Sequence, residues 1–245
     1  MSAPLSRRLL AEFLGSAFLA ALVIGSGIAA QQLTPDDTGL QLLYNSAATA
    51  AGLFAIILMF GPVSGGHFNP VVSLVDSAFG GLSRRDAAAY IPVQIAGCIT
   101  GAVAANAMFS LAAIRISGNH RASPAHLFSE VVATLGLLLV IFALVRSGRT
   151  ATAPAAVGAD IGAAYWFTSS TSFANPAITV GRMLSDTFAG IAPASAPAFV
   201  AAQLAGGVIA FGLIRALYPD LSPAEAADIV VPHERREAAS GAAGP

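Results

Sequence analysis

The chain has 245 residues, of which 56% are hydrophobic and only 10% are charged, against roughly 25% charged in an ordinary soluble domain. This deficit of charge excludes a soluble globular domain and favours a protein whose surface lies in lipid. The formal net charge of −1, with no run of basic residues, argues against nucleic acid as a partner.

Six apolar stretches predict helices that cross the membrane. Most approach the ~20 residues that a helix needs to span hydrocarbon, and open sheets are disfavoured because lipid cannot satisfy their edges. The fifth stretch is at the short end and could extend through Ser169. Two glycine pairs with a spacing of four, Gly97 with Gly101 and Gly158 with Gly162, predict close helix packing. The stretches are 9–30, 40–60, 87–111, 127–145, 151–167 and 196–218.

The first stretch could also be a cleaved signal peptide, because two arginines precede an apolar run that ends in Ala29 and Ala30. Against that, Glu12 lies inside the run, residue 28 is Ile rather than a small residue, and more spans follow. We therefore expect an uncleaved first helix.

Two further apolar stretches, 70–79 and 176–185, are about ten residues long and too short to cross a bilayer. Each follows an Asn, Asn69 or Asn175, and each has Pro as its first residue. Asn is a favoured N-cap, and Pro suits the first helical position, so each pair predicts the start of a short helix. Half-helices at membrane depth are tolerated only when they are packed in protein or line a watery path.

The two halves of the chain repeat one order of features. Within 5–111 and 124–218, a span with a Glu is followed by a second span, an Asn-Pro half-helix and a span with a Gln. Three spans per half is an odd number, so the second copy must be inverted in the membrane. We predict an all-α membrane protein of six transmembrane helices and two half-helices in an inverted 3+3 repeat, whose half-helix N-termini meet near the midplane.

The arginines predict the orientation of the chain. With an internal N-terminus, nine of them fall on the cytoplasmic side and three on the other, which fits the positive-inside rule. We expect a multi-pass protein of the inner cell membrane with both termini cytoplasmic, a single channel domain over 1–218 and a cytoplasmic tail over 219–245. The cytoplasmic set is Arg7, Arg8, Arg84, Arg85, Arg146, Arg149, Arg215, Arg235 and Arg236, and the other set is Arg115, Arg121 and Arg182.

The facing half-helices predict a barrier to cations. Each helix N-terminus carries a partial positive charge of roughly half an electron, and two such termini at one spot repel cations and protons. Asn69 and Asn175 would present N–H donors there to a neutral solute. Because the sequence has no redox motif, phosphate loop or metal-ligand cluster, we predict a passive channel for small neutral solutes, with no enzyme activity, cofactor or metal. The alternative is a proton-coupled or saturable transporter that uses Glu12, Glu130 or Asp160.

Over about residues 5–218 the chain resembles the major intrinsic protein family of aquaporins and aquaglyceroporins. SGGHFNP, from Ser64 to Pro70, is close to the first signature of that family, and Asn175-Pro176-Ala177 matches the second. The resemblance implies a homotetramer in the lipid bilayer with one pore per subunit. It also implies that Glu12, Glu130, Gln94 and Gln203 support the loops before the half-helices. His67 is expected to serve the loop backbone, with a pH-sensing role as the alternative.

Two positions depart from the family's signatures. The first signature is Asn69-Pro70-Val71, with Val where Ala is usual. After the second signature comes Ile178, where the family nearly always has the Arg that forms the cationic wall of the outer constriction. Exchanging Arg for Ile removes a charge and a fork of donors, so this part of the wall becomes apolar.

The resemblance also implies which residues of this chain occupy the family's remaining constriction positions, by counting from the signatures. Thr49 falls on the second-span position and Ser172 on the loop position. Counting from the start of the fifth span gives Tyr165, whereas counting back from the second signature gives Ala163. We favour Tyr165, because helices keep register better than loops do. Together with Ile178, these residues predict a constriction that is wider and less cationic than that of a water-selective member.

An aliphatic residue in place of the filter Arg resembles bacterial family members linked to arsenic resistance. This implies the trivalent hydroxides of arsenic and antimony as possible solutes beside water and glycerol-like polyols, with a plain water channel as the alternative. The single cysteine, Cys98, excludes a disulfide within the chain, and we expect it to fill space inside a helix. One thiol cannot grip trivalent arsenic as several would, which suits a conduit.

Three further acidic residues, Asp76, Asp160 and Asp186, lie in or directly beside apolar stretches and need water or a partner. Asp160 would lie near the pore if Ala163 lines it, and would point toward neighbouring helices if Tyr165 does. Asp76 and Asp186, away from the half-helix N-termini, are expected to be solvated or salt-bridged, with Arg182 one turn before Asp186.

Overall fold

A computed structural model describes residues 3–220 and 222–226, and its α-helices follow one another without a strand among those residues. The predicted tail over 219–245, with Arg235 and Arg236, lies outside the described residues from 227 onward. In chain order the helices are α1 (Leu5–Leu33), α2 (Thr38–Ser64), α3 (Pro70–Phe79), α4 (Arg84–Met108), α5 (Pro124–Arg146), α6 (Ala153–Phe167), α7 (Pro176–Arg182), α8 (Ala196–Leu217) and α9 (Pro223–Ala226).

The long helices carry large apolar side chains on the outside of the molecule as well as inside it. In the described part of the chain, α1, α2, α4, α5 and α8 are long and apolar enough to span a membrane. Helix α6, with 15 residues, is shorter than the ~20 of a full span. Met59, Phe128 and Val208 are 55%, 69% and 73% exposed. Such a surface is stable in lipid, so the prediction of an all-α, multi-pass membrane protein is confirmed.

The two halves of the chain fold alike. In each half the first span packs on the closing span, α1 on α4 and α5 on α8. The halves also interlock, because α7 packs on α4, α3 packs on α8, and α2 packs on α6. With the shorter helix α6 counted as a span, each half has three spans, so the two copies run in opposite directions across the membrane. The start of α1 and the end of α8 therefore lie on the same face of the helical bundle, called here the terminal face. The loops 109–123 and 183–195 lie on the opposite face, called here the far face.

Glycines allow the spans to approach each other closely. A Cβ at Gly101 would press into the backbone of Ala17 on α1, 2.9 Å from its carbonyl carbon. A Cβ at Gly158 would lie 2.6 Å from the carbonyl oxygen of Ala50 on α2. Both distances are shorter than van der Waals contact, so the prediction of close packing at the glycine pairs is confirmed.

Half-helix α3 has the bounds that the sequence predicts. Asn69 caps its first turn, Pro70 is its first residue, and Gly80 ends it in the left-handed region with a φ of 86°. Asn, Pro and Gly are the residue types that favour these three positions. Local sequence is therefore enough to define this helix at both ends.

Half-helix α7 begins at Pro176, as predicted, but it ends at Arg182 rather than at residue 185. The next residues leave the helix and pair with the far-face loop 109–123. The carbonyl of Met183 accepts from the N–H of Ser117 at 2.9 Å, and the carbonyl of Leu184 accepts from the N–H of Arg115 at 3.0 Å. These bonds come from a distant part of the chain, so the predicted bound was wrong.

Candidate functional site

Two asparagine side chains join the half-helices at the centre of the fold. Each side-chain oxygen accepts from the backbone N–H two residues further on, at 2.9 Å in both helices. Asn69 Nδ2 donates to the carbonyl of Ala174 at 2.7 Å, and Asn175 Nδ2 donates to the carbonyl of Phe68 at 2.8 Å. The predicted meeting of the two N-termini is thus observed. The second N–H of each amide finds no acceptor within residues 3–220 and 222–226.

The residue before each capping Asn has an unusual backbone conformation. Phe68 and Ala174 both have a φ of 48°, in the left-handed region that L-residues with side chains rarely adopt. Such a conformation costs of order 1–3 kcal/mol and persists only where the surroundings hold it. These two residues supply the carbonyls that the opposing Asn side chains bind. The strain is therefore located where the two halves of the chain are joined.

A buried glutamate holds each strained loop. Glu12 accepts from the two backbone N–H groups that precede Asn69, at 3.0 and 2.7 Å. Glu130 accepts from the two backbone N–H groups that precede Asn175, at 2.9 Å each. Charge-assisted bonds of this kind are stronger than bonds between neutral groups. The geometry fits the loop-supporting role that the sequence predicts for both carboxylates.

The two glutamines extend this network. Gln94 and Gln203 donate to the glutamate of their own repeat at 2.8 and 2.6 Å. The same nitrogens donate at 3.0 Å to the hydroxyls of Ser73 and Thr179. Sequence reasoning missed these two hydroxyls, although each lies four residues after a capping Asn. That repeated offset is the signal that could have identified them.

His67 enters the network through its ring as well as through its backbone N–H. Its Nδ1 lies 3.0 Å from the Ser73 hydroxyl, and its Nε2 lies 3.5 Å from a carboxylate oxygen of Asp76. All three side chains are buried. The ring therefore braces α3 itself, in addition to the loop before it.

A cavity lies at this centre. The two asparagines and His67 lie at its wall, and most of the remaining wall is apolar, so a solute meets few hydrogen-bonding groups along it. The apolar lining side chains come from both halves of the chain: Leu19, Val23, Leu53, Ile57, Val72, Leu137, Ile141, Val157 and Ile161.

The structure brings the four predicted constriction residues together at this cavity. Thr49, Tyr165, Ser172 and Ile178 all line it, and the hydroxyl oxygens of Thr49 and Tyr165 are 3.3 Å apart. Ala163, the alternative to Tyr165, is exposed on the outside of α6. Of the two alignments, the one that keeps the register of the fifth span is therefore the one that reaches the cavity wall.

Asp160 lies away from the cavity. Its side chain is half-buried on α6, and one carboxylate oxygen is 3.9 Å from where a Cβ would lie on Gly136 of α5. This placement agrees with the prediction that Asp160 points toward neighbouring helices when Tyr165 faces the cavity.

Arg182 lines the cavity, contrary to the interpretation that it neighbours Asp186 on a half-helix. Helix α7 ends at Arg182, and the carboxylate of Asp186 instead accepts from the N–H of Gly118 at 3.0 Å. The guanidinium carbon of Arg182 lies 3.4 Å from the centroid of the Phe173 ring, and its Nε donates to the carbonyl of Ala189. A charged residue thus stands at the wall near Ile178, where sequence reasoning did not expect one.

A second arginine, Arg121, ties the far-face loops together. Its Nε donates to the carbonyl of Gly190 at 2.9 Å, and its Nη2 donates to the carbonyl of Phe188 at 3.0 Å. Burial lowers the pKa of the Arg121 guanidinium, but arginine starts so far above neutrality that it stays charged. Two cations, Arg121 and Arg182, therefore lie against the ring of Phe173, which is part of the cavity wall.

The sequence and the fold of this chain are similar to those of known proteins. The sequence profile of the family described as "Major intrinsic protein" matches residues 1–174. Aquaglyceroporin AqpS of Rhizobium meliloti is 48% identical over 219 residues, which cover 89% of this chain and 93% of that protein. Human aquaporin-9 is 30% identical over 168 residues, covering 60% of this chain and 56% of that protein. The X-ray structure of the aquaglyceroporin from Plasmodium falciparum has the same fold, with a TM-score of 0.67 at 21% identity, covering 88% and 98% of the two chains.

Proposed function

The chain belongs to the major intrinsic protein family, and from that premise we propose that it is a passive transmembrane channel for water and glycerol-like neutral solutes. Members of this family are channels, and the chain is accordingly not an enzyme. One observation carries the proposal: two capped half-helices meet end to end at an apolar cavity that four predicted filter residues line.

The geometry explains how a neutral solute would pass. Both half-helix N-termini point their partial positive charge at the same spot, which disfavours cations there. The free N–H of Asn69 and that of Asn175 give a hydroxyl or water oxygen two donors, while the mostly apolar wall offers few competing partners. A neutral solute can therefore exchange its hydration for these bonds and move on.

The lining of the constriction supports solutes larger than water. Ile178 is buried at the wall with no charge, and Thr49 is smaller than the aromatic residues common at that position of the family. By this reasoning we extend the proposal to polyols and to the neutral trivalent hydroxides of arsenic and antimony. The same proposal includes a homotetramer with one pore per subunit, a channel domain over residues 1–218, and both termini on the cytoplasmic side of an inner membrane.

Stopped-flow light scattering on proteoliposomes tests the proposal by comparing the entry of water, glycerol and arsenite. We expect wild type to pass all three solutes. Glycerol and arsenite flux should fall about tenfold or more in Ile178→Arg while water flux is kept, since the larger, charged side chain narrows the passage. Ile178→Val keeps the wall apolar and serves as the control, with flux near wild type. Wild type that passes water alone, or equal fluxes in all three proteins, would contradict the wide-constriction part of the proposal.

A further inference from the structure

We propose that Arg182 supplies, from one turn further along α7, the positive charge and hydrogen-bond donors that Ile178 does not give to the cavity wall. The inference rests on the proposed channel function and names the residue that sets its selectivity. Arg182 follows Ile178 by four residues on the same helix, so the two side chains lie on one face of α7. Both line the cavity.

The burial of Arg182 requires an explanation. The residue is only 2% exposed, and no carboxylate lies within ion-pair distance of its guanidinium in the described part of the chain. Removing an unpaired cation from water is costly, above all at membrane depth. Ionisable residues in such places face a water-filled path or a bound solute. The cavity is the path that this guanidinium borders.

The guanidinium of Arg182 is held in place, but most of its hydrogen-bond donors have no protein acceptor among the described residues. Its face stacks on Phe173 at 3.4 Å, and the N–H of Phe173 is itself bound by Glu130 at 2.9 Å. Of the five N–H donors of the guanidinium, only Nε has an acceptor within residues 3–220 and 222–226, the carbonyl of Ala189. The terminal nitrogens are thus fixed in position and left for oxygen atoms of water or solute.

Arg121 shows what a purely structural arginine looks like in the same region. It is 5.4 Å from the centroid of the same Phe173 ring, but it donates to three backbone carbonyls and does not line the cavity. The donors of Arg121 are taken up by the far-face loops, whereas those of Arg182 are not. This difference provides a matched control for the inference.

Selectivity follows from where the charge lies. A fixed cation in a narrow passage repels other cations, and its N–H groups attract neutral solutes that carry hydroxyl oxygens. Because the charge lies one turn, ~5.4 Å, beyond Ile178, the wall at Ile178 can stay apolar without giving up cation exclusion. The half-helix dipoles and Arg182 then act in series along the pore.

The test compares Arg182→Gln, Arg182→Lys and Arg121→Gln in proteoliposomes, with glycerol flux, potassium leak and proton leak measured on each. We expect Arg182→Gln to raise the cation leak about tenfold or more while glycerol still passes, since the charge is lost. Arg182→Lys keeps the charge and should stay as tight as wild type, and Arg121→Gln should lower the yield of folded protein without adding a leak.

Two results separate this inference from the channel proposal. An Arg182→Gln variant that passes glycerol but stays as tight to cations as wild type would overturn the role of Arg182 and leave the channel intact. Wild type without glycerol or water flux would overturn the channel itself. If Arg182→Gln fails to fold, Arg182→Lys still decides, because a large cation leak in a variant that keeps the charge contradicts the inference.

Discussion

Asn69 and Asn175 each use one amide group for two purposes, because the oxygen caps a half-helix and the nitrogen binds the opposing loop. The loops they bind are strained, and the carboxylates of Glu12 and Glu130 hold them through backbone N–H groups. These carboxylates are engaged by the backbone and by a glutamine. That occupancy argues against the transporter alternative, in which they would relay protons.

Replacing Glu130 by Gln tests this role at the level of one residue. The amide puts an NH2 group in place of one acceptor oxygen, so the N–H of Phe173 or of Ala174 loses its partner. We expect a loss of about 2 kcal/mol in the free energy of unfolding, as for a hydrogen bond to a charged group. Thermal unfolding of the purified protein in detergent measures it, with Asp36→Asn, exposed in the turn after α1, as the control.

The opposite outcome is also informative. Unchanged stability in Glu130→Gln, together with loss of a pH-gradient dependence that wild-type glycerol flux showed, would identify the carboxylate as a proton relay.

Single residues differ in how well the sequence predicts them. The asparagines and glutamates could be predicted because a cap signal or a repeated pattern marks each of them. Tyr165 depended on a choice between two alignments, and the register of the helix favoured the residue that lines the cavity. Arg182 was missed although it follows the predicted filter residue Ile178 by four residues, a spacing that places both side chains on one face of α7.

Among the elements, α4 tests how closely the helices must pack. Gly101→Ala puts a Cβ against the backbone of Ala17. We expect about 3 kcal/mol of destabilisation and less folded protein, since the two packed backbones cannot move apart without losing other contacts. Gly212→Ala on α8 is the matched control, since a Cβ there meets nothing within 4 Å. Its thermal midpoint should be unchanged or slightly raised, because Ala favours helix over Gly. Equal midpoints in both variants would contradict the close packing.

The elements themselves were largely predictable. Apolar length gave the spans, and the Asn-Pro pairs gave the starts of both half-helices to the residue. Helix α3 also ended as predicted, because Gly80 marks its end locally. Helix α7 has no such marker, so its end depends on tertiary contacts that a single sequence does not reveal.

At the scale of the whole molecule, residues from both halves of the chain line the cavity, and the proposal gives each subunit of the tetramer one such pore. Thr49→Trp should block a single pore, since the hydroxyl of Thr49 already lies 3.3 Å from that of Tyr165. When wild type and Thr49→Trp are reconstituted together, we expect glycerol flux to fall in proportion to the fraction of Thr49→Trp subunits. A much steeper fall, with full block from one mutant subunit, would instead indicate a shared pore.

The class of the molecule followed from composition alone, and its topology from the internal repeat. Three spans per half were enough to predict that the repeat is inverted. Each half-helix packs on the closing span of the other half because the two Asn-Pro pairs meet at one centre. The orientation of the termini remains a prediction that rests on the arginine distribution.

The rate of glycerol entry into proteoliposomes, measured against glycerol concentration with and without an imposed pH gradient, tests the central claim most directly. A passive channel predicts a rate that rises linearly with concentration, is indifferent to the gradient and stops when concentrations equalise. Saturation at low concentration, or accumulation of glycerol driven by the proton gradient, would contradict the channel and identify a coupled transporter built on the same inverted repeat.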